Sequence, residues 1–327
     1  MKKLINDPAH YVDEALEGLC GAFAGYDKRG RVIARAGGPS PGKVGVVTGG
    51  GFGHLPVFAG YVANGMLGAC AVGDVFAGPP VDVCHQAIRA ADGGAGVVCV
   101  LGNYGGDRMS FAQACEEFED DGGATATVIV ADDVASAPPT ERAKRRGVAG
   151  MVFAFKTAGA AADAGASLDN VQWVARHTAD RTRSIGVALS PCLIPGAAAP
   201  GFSVPGGEME LGMGIHGEPG VERRALPRAD AVARAMVERL LADRESHGGR
   251  VAMLVNSLGA TPLEELLILY RAAAALLAAA GVEIGIRYVG HYATSMEMAG
   301  CSVSLCDLDP EIESLLMQPT DCPFWPR

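Results

Sequence analysis

The sequence predicts an α/β protein made of two α/β domains, each with a largely parallel or mixed sheet flanked by helices. Three observations carry that expectation. Short apolar runs alternate with longer segments of helical spacing. Several of the runs pass directly into glycine-rich stretches. The chain's 45 glycines in 327 residues cluster at such run ends, with no Gly-X-Y period. Strand, glycine loop and helix in alternation describe a sheet covered by helices, with binding sites expected where loops leave the strand C-termini.

Val12, Leu16, Leu19 and Phe23 recur at helical spacing, so a first helix is expected over about 8–24. Lys43 to Thr48 reads as a buried strand, followed by a glycine loop from Gly49 to Pro56. Further strands are expected at 69–72, 96–101, 127–131 and 151–155, with helices over 80–91 and 111–120 between them. An alanine-rich helix pair, 157–164 and 167–180, closes the first domain, residues 1–183. The second, residues 184–327, opens with a strand at 184–189. A Pro- and Gly-rich connection, 190–207, then leads to Gly212-Met-Gly-Ile-His-Gly-Glu-Pro-Gly220. Helices over 228–243 and 262–280 follow. The second starts at Thr261-Pro-Leu-Glu264, which reads as a capping box with proline at the first helical position, and Gly281 is placed to end it. Strands at 251–255, 285–289 and 302–305 complete the domain.

Composition narrows the function. With 49% hydrophobic and 20% charged residues the chain is globular. A net charge of −10 argues against nucleic-acid binding, which needs a basic face. The lysines at the N-terminus have no apolar core behind them, so no signal peptide is expected. Leu266 to Ala280 is too short for a bilayer and contains Arg271, so it reads as a buried helix, and no membrane contact is expected. Nine cysteines, an odd count with no Cys-x-x-Cys pair, point to a reducing cytoplasm. Cys70, Cys99 and Cys301 lie in or beside apolar runs and read as core residues. No metal site is expected, since no His/Asp/Glu set has ligand spacing either.

Chemistry concentrates in the loops. His216 stands among glycines, where a ligand can approach the backbone, and an imidazole can act as base, ligand or nucleophile. Alone it would read as an exposed histidine in a tight turn. A second glycine-flanked histidine, His54, gives it weight. The loop around His54 lacks the last glycine of a dinucleotide fingerprint and the Gly-Lys-Ser/Thr of a P-loop, so a nucleotide is not expected there. Backbone N–H groups at a helix start would instead suit a small hydroxylated or anionic ligand. In Leu101-Gly-Asn-Tyr-Gly-Gly-Asp107, Asp107 reads on residue type alone as the N-cap of the next helix. His10, His85, His177, His247 and His291 show no partner pattern. Acid/base or covalent work on a small polar molecule is plausible from these residues, without naming it.

Gly49-Gly-Gly-x-Gly-His54, Asn103-Tyr-x-Gly-Asp107, Gly214-Ile-His-Gly-Glu-Pro-Gly220 and Asn256-x-Leu-Gly-Ala-Thr-Pro262, with the opening Lys2-Lys-Leu-Ile-Asn6, occur in the order of a known family. The whole chain resembles the substrate-binding subunit of dihydroxyacetone (glycerone) kinases, the DhaK-like family. That resemblance implies two α/β domains, usually in a homodimer, and a short-chain ketose held as a hemiaminal on the Nε2 of His216. Asp107 matches the base that takes the proton from the attacking terminal hydroxyl. His54 matches the residue that assists hemiaminal formation and stabilises the developing charge, and the backbone of Gly51 and Gly53 would line the ketose hydroxyls. The attacking imidazole must be neutral, so capture should weaken in acid. The family's Mg²⁺ and ATP (or a recharged ADP) sit on a separate nucleotide-binding helical kinase subunit, DhaL-like. This chain alone is therefore expected to bind substrate without phosphorylating it.

Three departures bear on specificity. Phe52 and Leu55 stand where the family has serine and glutamate, and Gly102 replaces a lysine that contacts substrate. Ala77-Gly78-Pro79 lacks a common polar side chain. Substrate-binding residues are thus expected at Gly51, Phe52, Gly53, His54, Gly102, Asp107 and His216, around a different or larger ketose such as a tetrulose or a branched ketose. A ligand-binding regulatory module without turnover is one alternative, against which an intact Asp107 weighs. A stand-alone sugar-phosphate isomerase is the other, kept open by the lost lysine and glutamate.

Overall fold

The structure, a computed structural model, describes residues 2–245 and 248–326; His247 and the terminal Met1 and Arg327 lie outside the described residues. Two six-stranded sheets organise the chain. The first contains β1 (Tyr26–Arg29), β2 (Val32–Arg35), β3 (Gly45–Phe52), β4 (Ala69–Val75), β5 (Val97–Gly102) and β6 (Thr125–Val130), in the order β1-β2-β4-β3-β5-β6. Strands β4, β3, β5 and β6 run parallel, and the β1–β2 hairpin adds an antiparallel edge. The second contains β7 (Thr182–Ala188), β8 (Glu208–Leu211), β9 (Glu222–Ala225), β10 (Gly249–Ser257), β11 (Val282–Gly290) and β12 (Gly300–Asp307), in the order β11-β10-β12-β7-β8-β9. Only β10 and β11 are parallel there, so this sheet is mixed and mostly antiparallel. The predicted fold class holds.

Eight helices flank the sheets among the described residues: α1 (Tyr11–Ala22), α2 (Val81–Ala91), α3 (Gly105–Asp120), α4 (Met151–Asp163), α5 (Leu168–Asp180), α6 (Ala229–Asp243), α7 (Leu263–Ala279) and α8 (Pro310–Leu316). The main correction is at 151–155, where a strand was expected and α4 begins. Every residue from Met151 to Ala162 is buried, and a run apolar on all sides carries no period to separate helix from strand. The expected loop at Gly49 is a second correction, because β3 continues to Phe52. Its glycines are strand residues that let rings close in: a Cβ on Gly49 would lie 2.7 Å from the Phe111 ring. No α-helix follows them, only turns and a short 3-10 segment at Ala59–Tyr61.

A third correction concerns Thr261. Its hydroxyl donates to the Gly300 carbonyl (2.7 Å) and accepts from the Gly300 N–H (2.8 Å), tying the start of α7 to β12, while Pro262 takes the N-cap position without a side-chain cap. Gly281, at φ +74°, does end α7.

Candidate active site

The C-terminal ends of β3, β4 and β5 converge on the loop between β8 and β9, and these four segments build one site. His54 leaves the end of β3 fully buried, its Nδ1 2.7 Å from the Thr294 carbonyl. A carbonyl can only accept, so Nδ1 carries the proton and Nε2 presents a lone pair. That Nε2 is buried with no protein partner. Burial first, then the neighbouring His216, pull the His54 imidazole down to about 3, so the ring is neutral at physiological pH.

His216 lies with its ring centroid 4.7 Å from that of His54, edge to face. Glu218, two residues on, accepts from the His216 backbone N–H and from its Nδ1, both at 3.0 Å. Burial works to raise the Glu218 carboxyl, but its hydrogen bonds to the His216 ring and to backbone N–H groups outweigh it and hold the group at about 2. The ionised carboxylate therefore fixes the His216 tautomer and directs its Nε2 lone pair away from the loop. Gly217, at φ +86°, makes the tight return that brings residue 218 back onto residue 216.

Aromatic walls surround the pair. Phe76, after β4, stacks on His54 at 4.9 Å and meets His216 edge-on at 5.6 Å. Tyr104, after β5, meets His216 at 4.7 Å and donates its hydroxyl to the Gly147 carbonyl at 2.9 Å. Asp107 is the third residue of α3, not its N-cap, which is Tyr104, and it is buried. Burial raises its carboxyl to about 6, with His216 opposing. Gly78 lies against the Asp107 carboxylate, where any Cβ would clash with Oδ1.

The remaining expected residues divide. Gly51 and Gly53 border Phe76: a Cβ on Gly51 would lie 2.7 Å from the Ala77 nitrogen, and one on Gly53 would lie 2.8 Å from the Phe76 ring. At Gly102 a Cβ would come within 3.1 Å of Tyr104 and of the Met151 sulfur, so those side chains fill the space where the family's lysine would start. Phe52 faces the other way. Its ring packs edge-on to Tyr11 at 5.8 Å in the core, so its side chain is not among the groups around His216.

The site's frame joins both sheets. Met296 N–H donates to the Gly53 carbonyl (2.8 Å) and Thr294 N–H to the His54 carbonyl (3.2 Å). Arg146 bridges the Asp133 carboxylate and the Gly212 carbonyl, both at 2.8 Å. Sequence reasoning missed Glu218, Phe76 and Tyr104. Glu218 was visible inside the histidine motif, and only the turn geometry shows its carboxylate returning to the ring.

An α/β protein with two histidines and a raised-pKa carboxylate at the strand C-termini is built to bind and activate a small polar molecule. The chain belongs to the Dak1 domain family, whose model matches residues 17–324. It is 42% identical to the dihydroxyacetone-binding subunit DhaK of a PTS-dependent dihydroxyacetone kinase of Listeria innocua, over 99% of this chain and 100% of that one. It is 41% identical to a D-erythrulose kinase of Mycolicibacterium smegmatis, covering all of this chain but 57% of that longer protein. The crystal structure of the C. freundii dihydroxyacetone kinase superposes with a TM-score of 0.91 at 34% identity, over 99% of this chain and 60% of that one.

Proposed function

We propose that this chain is the substrate-binding subunit of a dihydroxyacetone-type ketose kinase, and that His216 captures the ketose covalently. One observation carries the reading: Glu218 holds the Nδ1 proton of His216, leaving Nε2 as a free nucleophile beside His54 and Asp107. In the addition, the Nε2 lone pair forms a bond to the ketone carbon and the carbonyl π-bond opens. The oxygen takes a proton from solvent, and the positive charge left on the ring is neutralised by the Glu218 carboxylate. The hemiaminal fixes the sugar, which removes translational freedom before transfer. Molecules without a carbonyl are not held.

Asp107, once ionised, takes the proton of the terminal hydroxyl as that oxygen attacks the donor phosphoryl group. The His54 tautomer supports a part other than the expected stabilisation of the developing charge: Nε2 accepts a hydrogen bond from a substrate hydroxyl and does not donate to the carbonyl oxygen. Mg²⁺ and ATP (or ADP) are supplied, in this proposal, by a DhaL-like helical partner, without which the chain binds ketose but does not phosphorylate it. A cytoplasmic homodimer is part of the same reading, and the nine free cysteines are in keeping with a reducing compartment. Tyr104 and Met151 at Gly102, with Gly78 beside Asp107, reshape the pocket wall, and this supports a tetrulose as substrate alongside dihydroxyacetone.

Native intact-mass measurement with dihydroxyacetone, both erythrulose enantiomers and glycerol tests the capture. A gain of one ketose mass is expected with the ketoses and none with glycerol. His216→Ala should abolish it. Glu218→Gln should lower occupancy on the order of ten- to a hundredfold, the loss typical when a carboxylate orienting a metal-bound imidazole is removed. A full adduct in His216→Ala would sink the proposal.

A further inference from the structure

Behind the site, in the layer between α3 and the first sheet, two thiols lie in contact. Cys99 on β5 and Cys115 on α3 have their sulfurs 3.7 Å apart, and both are buried, Cys99 completely and Cys115 at 7% exposure. The two differ in surroundings. Thr127 of β6 acts to lower the Cys115 thiol, whereas the neighbouring Thr125 donates its hydroxyl to the Glu119 carboxylate, and no threonine acts on Cys99. Thr127 also lines a surface groove between α3 and β6, with Met109, Ala112 and Ile129. Cys115 therefore lies one side chain from a solvent-facing groove.

We propose that Cys99 and Cys115 form an oxidisable dithiol, a modification site at which a peroxide closes an intramolecular disulfide between β5 and α3. Cys115 reacts first. Its hydrogen bond with Cys99, aided by the nearby Thr127, outweighs burial and brings its thiol down to about 7. The other eight cysteines are all pushed upward, with burial acting on each.

The Cys115 thiolate attacks one peroxide oxygen, the O–O bond breaks, and the departing hydroxide takes a proton to become water. Cys99 sulfur then attacks the Cys115 sulfenic acid, the S–O bond breaks, and a second water leaves with the Cys99 proton. Two thiols lose two electrons and two protons, and one peroxide becomes two waters. The sulfurs must close by about 1.6 Å to reach bonding distance. That movement acts on α3, which carries Asp107 two turns upstream, and on β5, which ends at Gly102. The effect on ketose handling rests on the kinase reading above; the disulfide does not.

The test treats the full chain with sub-millimolar hydrogen peroxide, blocks free thiols with iodoacetamide, and maps peptides by mass. A Cys99–Cys115 crosslink, a loss of two hydrogens and reversal by dithiothreitol are expected. Cys99→Ser and Cys115→Ser should each abolish the crosslink, while Cys20→Ser, at the one half-exposed cysteine, should keep it. A crosslink elsewhere, or Cys115 passing to sulfinic acid while Cys99 stays free, would overturn the proposal. So would resistance of the folded protein to oxidation. Ketose-adduct occupancy in the oxidised form is read separately: a several-fold change is expected, and unchanged occupancy with the crosslink present would sever the link to Asp107 only.

Discussion

Asp107 and His54 are both buried next to His216, and burial moves them in opposite directions because one loses an anion and the other a cation. The Asp107 carboxyl is raised to about 6, so between about pH 4 and 6 the folded protein binds more protons than the unfolded chain. Stability from this group falls as pH rises through that window. Above it the buried charge costs about 3 kcal/mol. His54, held at about 3, has the reverse sign. The unfolded chain binds the extra proton between about pH 3 and 6.5, and stability is lost as pH falls through that range. Asp107→Asn is therefore expected to raise unfolding free energy at pH 8 by about 1–3 kcal/mol. It should also lower phosphoryl transfer, with a kinase partner present, by roughly a hundred- to ten-thousandfold. Wild-type turnover should drop below about pH 6. A variant less stable than wild type at pH 8 would show that the carboxylate is stabilised by something other than what surrounds it here. The sequence marked His54 and His216 through their glycine-rich settings, while Asp107 read as a helix cap until the family motif singled it out. It could not show Glu218 as the carboxylate on His216, because spacing along a chain does not reveal which way a tight turn folds back.

At the scale of elements, legibility tracked length and period. Strands β3, β4, β5, β6, β7, β10, β11 and β12 lie at apolar runs and were placed within a few residues. The hairpins β1–β2 and β8–β9 are four-residue strands, and β1 and β9 are largely charged, so the longest apolar run in either hairpin is Val32 to Ala34, too short to mark a strand. Helix α8 has only seven residues. Helix α4 was misread because burial on all sides erased its stripe. Its Gly159 shows the same crowding: a Cβ there would overlap the Met66 carbonyl. Replacing an interior helical glycine by alanine normally gains up to about 1 kcal/mol. Overpacking against backbone costs about 1–3 kcal/mol, so Gly159→Ala is expected to destabilise. Gly18→Ala, inside α1 with open space around its Cβ position, should stabilise by up to about 1 kcal/mol. Urea unfolding of the two variants reads both signs. A stabilised Gly159→Ala would mean that α4 can shift away from the 66 backbone at little cost.

For the molecule as a whole, the two sheets were foreseeable but their mutual support was not. One hydrophobic core runs from β3 and α4 through Leu254, Ile286 and Tyr288 of the second sheet to Ile312, Leu316 and Trp325 near the C-terminus. Such contacts join residues hundreds of positions apart, and no local pattern encodes them. Trp325 packs on Tyr288 at 4.8 Å and on Tyr292 at 6.2 Å. The backbone N–H groups of Tyr292 and Ala293 donate to the Asn256 side chain at 2.8 and 2.9 Å. Immediately after them, the Thr294 carbonyl accepts the His54 Nδ1 proton. The aromatic cluster thus braces the segment that sets the His54 tautomer. Trp325→Ala should cost about 3–5 kcal/mol of stability, read by denaturant unfolding. It should also reduce ketose-adduct occupancy at temperatures where the protein remains folded. If stability falls while capture is unchanged, the hydrogen bonds to Asn256 and to the His54 carbonyl hold the segment without the C-terminal aromatics, which then serve the core but not the site.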